Sequence, residues 1–154
     1  GSSGNPHWLA VCDIDHFKQV NDNFGHLIGD EVLIMLAQVM RQSFRFDDQL
    51  FRFGGEEFIA LLQPATEADA LAALERFRSQ VEQQSFSRVG KITASIGFSA
   101  LRPNDTPTDV IDRADEALYY AKRHGRNRVD SYERLIAGGE LQAKEITKGE
   151  VELF

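Results

Sequence analysis

Trp8 to Ile14 is apolar almost without interruption and stops at carboxylates, the pattern of a strand buried on both faces. Asp15 to Phe24 mixes polar and apolar residues and predicts a helical turn or two, punctuated by Gly25 and Gly29. From Asp30 onward, Leu33, Leu36, Ala37, Met40 and Phe44 recur at helical spacing and predict a long amphipathic helix ending near Phe46. Leu50 to Phe53 and Glu57 to Leu62 are strand-like runs on either side of Gly54-Gly55, and adjacent glycines tolerate the positive φ angles of a tight hairpin. Pro64 closes the second run, and Thr66 stands where it would cap a helix carrying Leu71, Leu74, Phe77 and Val81. Ile92, Ala94, Ile96 and Phe98 alternate with Thr93, Ser95, Gly97 and Ser99, a period-two strand. Pro103 to Thr108 reads as a loop and Val110 to His124 as a helix with Ala114, Leu118 and Ala121 on one face. Gly125 is its stop, and Arg128-Val129 begins a short last strand. Ser131 to Phe154 is broken by Gly138-Gly139, charged and only weakly periodic; it reads either as a mobile tail or as a docking segment.

The order strand, helix, helix, hairpin, helix, strand, helix, strand predicts an α+β domain, a mixed central sheet with helices packed on it. At 154 residues the chain suits one domain with one core. We divide it into residues 1–7, where Gly1-Ser2-Ser3-Gly4 resembles a cloning remnant, a domain over 8–130, and an extension over 131–154. The net charge of −7 argues against a partner such as long nucleic acid, but leaves room for a small anion held by a few cations and a metal. The one cysteine, Cys12, excludes an intramolecular disulfide, suits a reducing cytoplasmic setting and reads as core packing. Apolar runs reach about five residues, against roughly 20 for a membrane span, so no insertion of this segment into a membrane is expected.

Two pairs of carboxylates change the picture from fold to chemistry. Asp13 and Asp15 sit where the first strand runs out, and Glu56 and Glu57 follow the Gly-Gly turn. A strand end and a hairpin tip of one sheet can lie side by side, and carboxylates gathered there repel unless a cation joins them. Hard oxygen ligands suit Mg²⁺ or Mn²⁺, which also accept phosphate oxygens. Acidic residues at strand ends are more often simply solvated, and a Gly-Gly turn is common in plain hairpins.

Phe53-Gly54-Gly55-Glu56-Glu57-Phe58 resembles the signature hairpin of GGDEF domains, in the variant with Glu in the third position. Asp13-Ile14-Asp15-His16-Phe17-Lys18-Gln19-Val20-Asn21-Asp22, then Phe24-Gly25-His26 and Gly29-Asp30, is similar to the family's first strand and guanine-binding segment. Ser95-Ile96-Gly97, Arg113-Ala114-Asp115-Glu116-Ala117-Leu118-Tyr119, Ala121-Lys122 and Gly125-Arg126-Asn127 match later blocks, so the resemblance runs from about Leu9 to Val129.

The resemblance implies a palm-like fold with a mixed, mainly antiparallel sheet, similar to nucleotide cyclases and polymerases. It implies a diguanylate cyclase that joins two GTP into cyclic di-GMP and two pyrophosphates across a homodimer. Asp13, the Ile14 carbonyl, Glu56 and Glu57 would hold two Mg²⁺ or Mn²⁺ per half-site, with Glu56 and Glu57 catalytic and Glu56 the candidate base. Asn21 and Asp30 would read guanine, the backbone around His16 and Phe17 would hold phosphates, and Gly55 would let the ligand approach. Lys122 and Arg126, four apart on a helical face, would meet the triphosphate. Without the family, Asp30 reads equally as a helix N-cap, Asn21 as a turn residue, and Lys122 and Arg126 as partners of the helix dipole. Lys18 and His26 lie near the family's site without an assigned role.

Arg45-Phe46-Asp47-Asp48 has the Arg-x-x-Asp form, with five residues between it and Gly54, a placement which in the family marks an inhibitory site for the product. Outside the family such a string is usually a surface ion pair. Arg76 is a candidate further contact. Family members usually carry a further helix with an Asp-x-Leu-Thr-Gly-Leu-x-Asn-Arg-like segment and an N-terminal sensory or dimerising module; neither is in this sequence. The alternative expectation is a catalytically weak module that binds GTP or cyclic di-GMP.

Overall fold

The computed structural model describes residues 4–45, 47–86 and 88–143. Its elements are β1 (Trp8–Ile14), α1 (Phe17–Phe24), α2 (His26–Ser43), β2 (Gln49–Arg52), β3 (Glu57–Leu62), α3 (Glu67–Gln83), β4 (Ala94–Ala100), α4 (Pro107–Arg123), β5 (Val129–Ser131) and α5 (Tyr132–Ala137). The strands form one sheet in the order β2-β3-β1-β4-β5. Every pairing is antiparallel except β4 with β5, so the sheet is mixed and mainly antiparallel, as expected.

The alternation along β1 sorts the core into two layers. Trp8, Ala10, Cys12 and Ile14 join Phe58, Ala60, Leu62, Ile96 and Phe98 against α2 and α3. Leu9 and Val11 join Ile59 on the other face against Val110, Ala114 and Leu118 of α4. Both faces are covered, which is why β1 is apolar from Trp8 to Cys12. Burial pushes the Cys12 thiol far above its ordinary pKa, consistent with a packing role.

Several boundaries differ from the sequence expectation, each for a local reason. The long helix starts at His26 rather than Asp30, because Gly25 (φ 87) breaks the chain sharply after α1 and Ile28 already belongs to the buried face. Asp30 is therefore inside the helix and not its cap. The helix ends at Ser43, with Phe44 extended, and Phe46 lies outside the described residues. Thr66 caps α3 as expected, accepting from the Asp69 amide at 3.1 Å. Helix α4 begins earlier than expected: Thr106 and Asp109 form a capping box and Pro107 takes the first helical position, so part of the expected loop is helix.

Strand β4 is buried on both faces, although one face carries Ser95, Gly97 and Ser99. Those small residues let α4 lie against the sheet. A Cβ on Gly97 would come within 2.1 Å of the Leu118 nitrogen and 2.3 Å of the Ala114 oxygen. Of the ambiguous last stretch, Tyr132–Ala137 is helical and Tyr132 and Leu135 pack with Ala117 of α4; residues 144–154 lie outside the described residues.

Candidate functional site

The Gly-Gly hairpin is tighter at one glycine than at the other. Gly54 adopts φ 73, and its carbonyl accepts from the Glu57 amide at 3.2 Å, while Phe53 donates to the Glu57 carbonyl at 2.8 Å. Gly55 does not need a positive φ; its carbonyl takes two bonds from the Arg52 guanidinium, at 3.1 and 3.3 Å, and a Cβ there would meet nothing within 4 Å. The space over Gly55 is open to a ligand.

Beyond the turn, β3 pairs with β1 so that Glu57 stands opposite Asp13, and β1 pairs with β4 so that Asp13 stands opposite Ser95. Directly paired residues of antiparallel strands project to the same face, here the face of α4. Asp13 is 5% exposed, and Glu56 and Glu57 are half-buried. Lys122 of α4 reaches down to pair with Asp13 Oδ2. The other oxygen, Asp13 Oδ1, is buried without a hydrogen-bond partner. A buried acceptor left unmade costs about 1–3 kcal/mol, more when charged.

The electrostatics are those of crowded carboxylates. Burial raises the Asp13 pKa, the Lys122 ammonium pulls against it, and Glu56 and Asp15 add to the rise. Desolvation also raises Glu57, helped by the carboxylates of Asp115 and Asp13. Asp115 is raised by desolvation and then by Asp112. A groove of about 740 Å³ runs beside these groups, lined by Glu57, Asp112, Asp115, Glu116, Tyr119 and Lys122. Among the described residues no three His, Cys, Asp or Glu side chains yet converge as a ready cation cage. Even so, the orphaned Asp13 oxygen and the unbalanced carboxylates are a hard-oxygen donor set that suits a divalent cation.

Asp15 departs from the carboxylate cluster it was grouped with. It accepts from Ser95 Oγ at 2.6 Å, Thr93 Oγ1 at 2.7 Å and the Asn127 amide at 3.0 Å, so it is a satisfied acceptor that ties β1 to β4 and to the loop after α4. His16 follows it in a left-handed conformation (φ 59) and starts α1, whose first residue is Phe17. A depression of about 240 Å³ lies beside His16.

The packing of α1 on α2 sets Asn21 against Gly29, the residue before Asp30. The Asn21 side chain lies directly over Gly29, where a Cβ would fall 1.9 Å from Asn21 Oδ1. Asp30 follows on the exposed face of α2. Arg126 is not on the helical face of Lys122: α4 ends at Arg123, Gly125 turns at φ 109, and Arg126 (φ 61) sits in a left-handed turn. Helical spacing does not extend past the stop. Lys122 and Arg126 are thus held by different elements, and among the described residues the Arg126 guanidinium has no partner.

Asp48 is fastened by the backbone. Its oxygens accept from the Arg45 amide and from the Gln63 amide, each at 2.9 Å. The Arg45 side chain is exposed, and a depression of about 380 Å³ is lined by Arg45, Asp48 and Arg76, the last anchored on the Ser43 carbonyl at 2.9 Å. The sequence did not point to the pairing of Lys122 with Asp13. The helical phase from Leu118 to Lys122 carried the signal, since Leu118 already faces β1.

The chain matches the family model described as diguanylate cyclase, GGDEF domain, over residues 2–128. It is 48% identical to the diguanylate cyclase DgcP of Pseudomonas aeruginosa over 126 residues, 79% of this chain and 19% of that protein. It is 39% identical to the diguanylate cyclase DosC of Escherichia coli over 132 residues, 83% of this chain and 29% of that protein. The chain thus spans less than a third of the length of either relative. It superposes on the GGDEF domain of DgcB from Caulobacter crescentus, solved in complex with c-di-GMP, with a TM-score of 0.80 and 38% identity, covering 84% of this chain and 80% of that one. On the active GGEEF domain of a diguanylate cyclase from Vibrio cholerae the TM-score is 0.77 at 38% identity, with 83% of each chain covered. Among the described residues no helix is long and apolar enough to cross a membrane. Backbone, hairpin and sequence agree, and the chain belongs to the GGDEF family of diguanylate cyclases.

Proposed function

We propose that this chain synthesises cyclic di-GMP in the cytoplasm: the 3′-oxygen of one GTP attacks the α-phosphorus of another, releasing pyrophosphate, and the step is repeated to close the ring. The observation that carries the reading is the buried, unpartnered oxygen of Asp13, which is paired across the sheet with Glu57 and joined to Lys122, two residues that line the acidic groove. Asp13, the Ile14 carbonyl, Glu56 and Glu57 are the residues that would hold two Mg²⁺ or Mn²⁺ per half-site. When bound, such cations lower the pKa of a hydroxyl nucleophile and neutralise a leaving pyrophosphate.

The chain's own groups do the rest. Glu56 is the base that would accept the proton of the 3′-hydroxyl. Lys122 exchanges Asp13 for the triphosphate, which frees the second Asp13 oxygen. Arg126 supplies a second cation from the loop after α4, and the first amides of α1, at His16 and Phe17, receive phosphate oxygens. Gly55 leaves the approach clear. Asn21, held over Gly29, and Asp30 take the guanine edge; an ionised carboxylate accepts two N–H bonds from guanine that adenine does not offer. One domain supplies one half-site, so two chains face each other across a two-fold axis, and catalysis is mainly positioning and charge neutralisation. The test is to dimerise the chain artificially, supply GTP and Mg²⁺, and weigh the product. Cyclic di-GMP with two pyrophosphates is expected. A chain that binds GTP and releases no pyrophosphate is a binding module only.

Asp30→Ala is expected to weaken a GTP analogue by about tenfold and an ATP analogue hardly at all, since the lost bonds are charge-assisted. Equal losses in calorimetric titrations of the two would refute base reading by Asp30. Arg45 and Asp48 we assign to inhibition by the product, on the strength of the depression they share with Arg76. The Arg45 fork suits a phosphate or the Hoogsteen edge of guanine. Arg45→Ala should raise the inhibitory constant for cyclic di-GMP by about tenfold with the initial rate kept, and an unchanged constant would leave the motif without that role.

A further inference from the structure

The loop after α4 is held in a costly shape by a residue from another element. Arg126 (φ 61) and Asn127 (φ 48) are consecutive non-glycine residues in the left-handed region. Such a pair persists only where its surroundings over-determine it. The Asn127 amide nitrogen of the backbone donates to Asp15 Oδ2 at 3.0 Å. The Asn127 side chain closes a ring: its Oδ1 accepts from Arg78 Nη1 at 2.8 Å, its Nδ2 donates to Glu82 Oε2 at 2.8 Å, and the same Arg78 nitrogen donates to Glu82 Oε1 at 3.1 Å. Arg78 is braced in turn by Glu75, at 3.1 Å from Nε. Its side chain is only 17% exposed, although it belongs to α3 and touches none of the site carboxylates. The Asn127 amide and Arg78 hold Glu82 below the usual carboxylate range. The ring is more than a lone solvated ion pair, because the partly buried Arg78 guanidinium binds Glu75, Glu82 and Asn127 at once.

The geometry points to Arg78 as a positioning residue for nucleotide binding: through Asn127 it fixes the left-handed turn that aims Arg126 at the triphosphate. This rests on the assignment of Arg126 to the triphosphate. The turn is one residue from the cation it presents, so a loosened Asn127 lets the Arg126 backbone leave its strained conformation, and the guanidinium spends less time where a phosphate would meet it. Lys122 and the carboxylates are on other elements and stay in place.

The test is a double-mutant cycle on this chain, titrating an α,β-methylene GTP analogue with Mg²⁺ by calorimetry. Arg126→Ala should weaken binding by about tenfold, the worth of one charge-assisted contact. Arg78→Gln should weaken it by about threefold to tenfold, and by nothing further when Arg126 is already Ala, because coupled residues are not additive. Asn127→Gly guards against misfolding: glycine keeps the positive φ without strain, yet it breaks the ring and should reproduce the loss of Arg78→Gln. Full binding by Arg126→Ala would remove the underlying assignment. A loss with Arg126→Ala but none with Arg78→Gln or Asn127→Gly would overturn the positioning role alone. Equal losses from Arg78→Gln with and without Arg126 would also overturn it, since the effect would then not pass through Arg126.

Discussion

Glu57→Gln is expected to lower cyclic di-GMP synthesis by about two to three orders of magnitude, the usual cost of removing one group that meets developing charge, with the fold intact. The substitution keeps the size of the side chain and the β1–β3 register, and removes only the charge opposite Asp13. Burial and the neighbouring carboxylates raise the Glu57 pKa, so its protonated form favours folding. That contribution is complete below the ordinary carboxylate range and is lost as pH rises through the raised value. At neutral pH the Gln chain without metal should therefore be at least as stable as the original. Mg²⁺ with a GTP analogue should raise the melting temperature of the original more than that of the variant. Thermal unfolding with and without Mg²⁺ separates the two effects. A variant that keeps its turnover would remove Glu57 from the reaction.

Gly97→Ala is the largest expected loss of stability, about 3 kcal/mol, at the upper end of what overpacking usually costs. The added methyl would meet backbone atoms of Ala114, Ala117 and Leu118 rather than the tip of a flexible side chain. The helix must then lift from the sheet. It carries Leu118 into the smaller core layer and Lys122 to Asp13, so activity should fall together with stability. Urea unfolding measures the first and pyrophosphate release the second. A change below about 0.5 kcal/mol, the range of ordinary surface substitutions, would mean that the contact is not rigid.

Much of this was legible in the chain, because the relevant signals are local. The apolar run of β1 ending at Asp13, the glycine pair before Glu56 and Glu57, and Thr66 as a cap each depend on neighbours within a few residues. What was hidden depends on distant partners. Ser95, Gly97 and Ser99 look like a polar face, yet their small size is what admits α4. Asp13 and Asp15 are equivalent by periodicity, and only the fold gives Asp15 three donors while leaving Asp13 one oxygen short. Spacing of four puts Arg126 on the face of Lys122 only if the helix runs on, and Gly125, legible in the sequence as a stop, ends it between them. The bracing of Asn127 by Arg78 joins residues 49 apart and leaves no trace in local pattern.

The decisive measurement is a crystal structure of this chain soaked with a non-hydrolysable GTP analogue and Mg²⁺. A cation about 2.1 Å from oxygens of both Asp13 and Glu57 is expected, with Lys122 moved from Asp13 to the triphosphate. Nucleotide bound elsewhere, with Lys122 still paired to Asp13 and no cation between Asp13 and Glu57, would contradict that expectation.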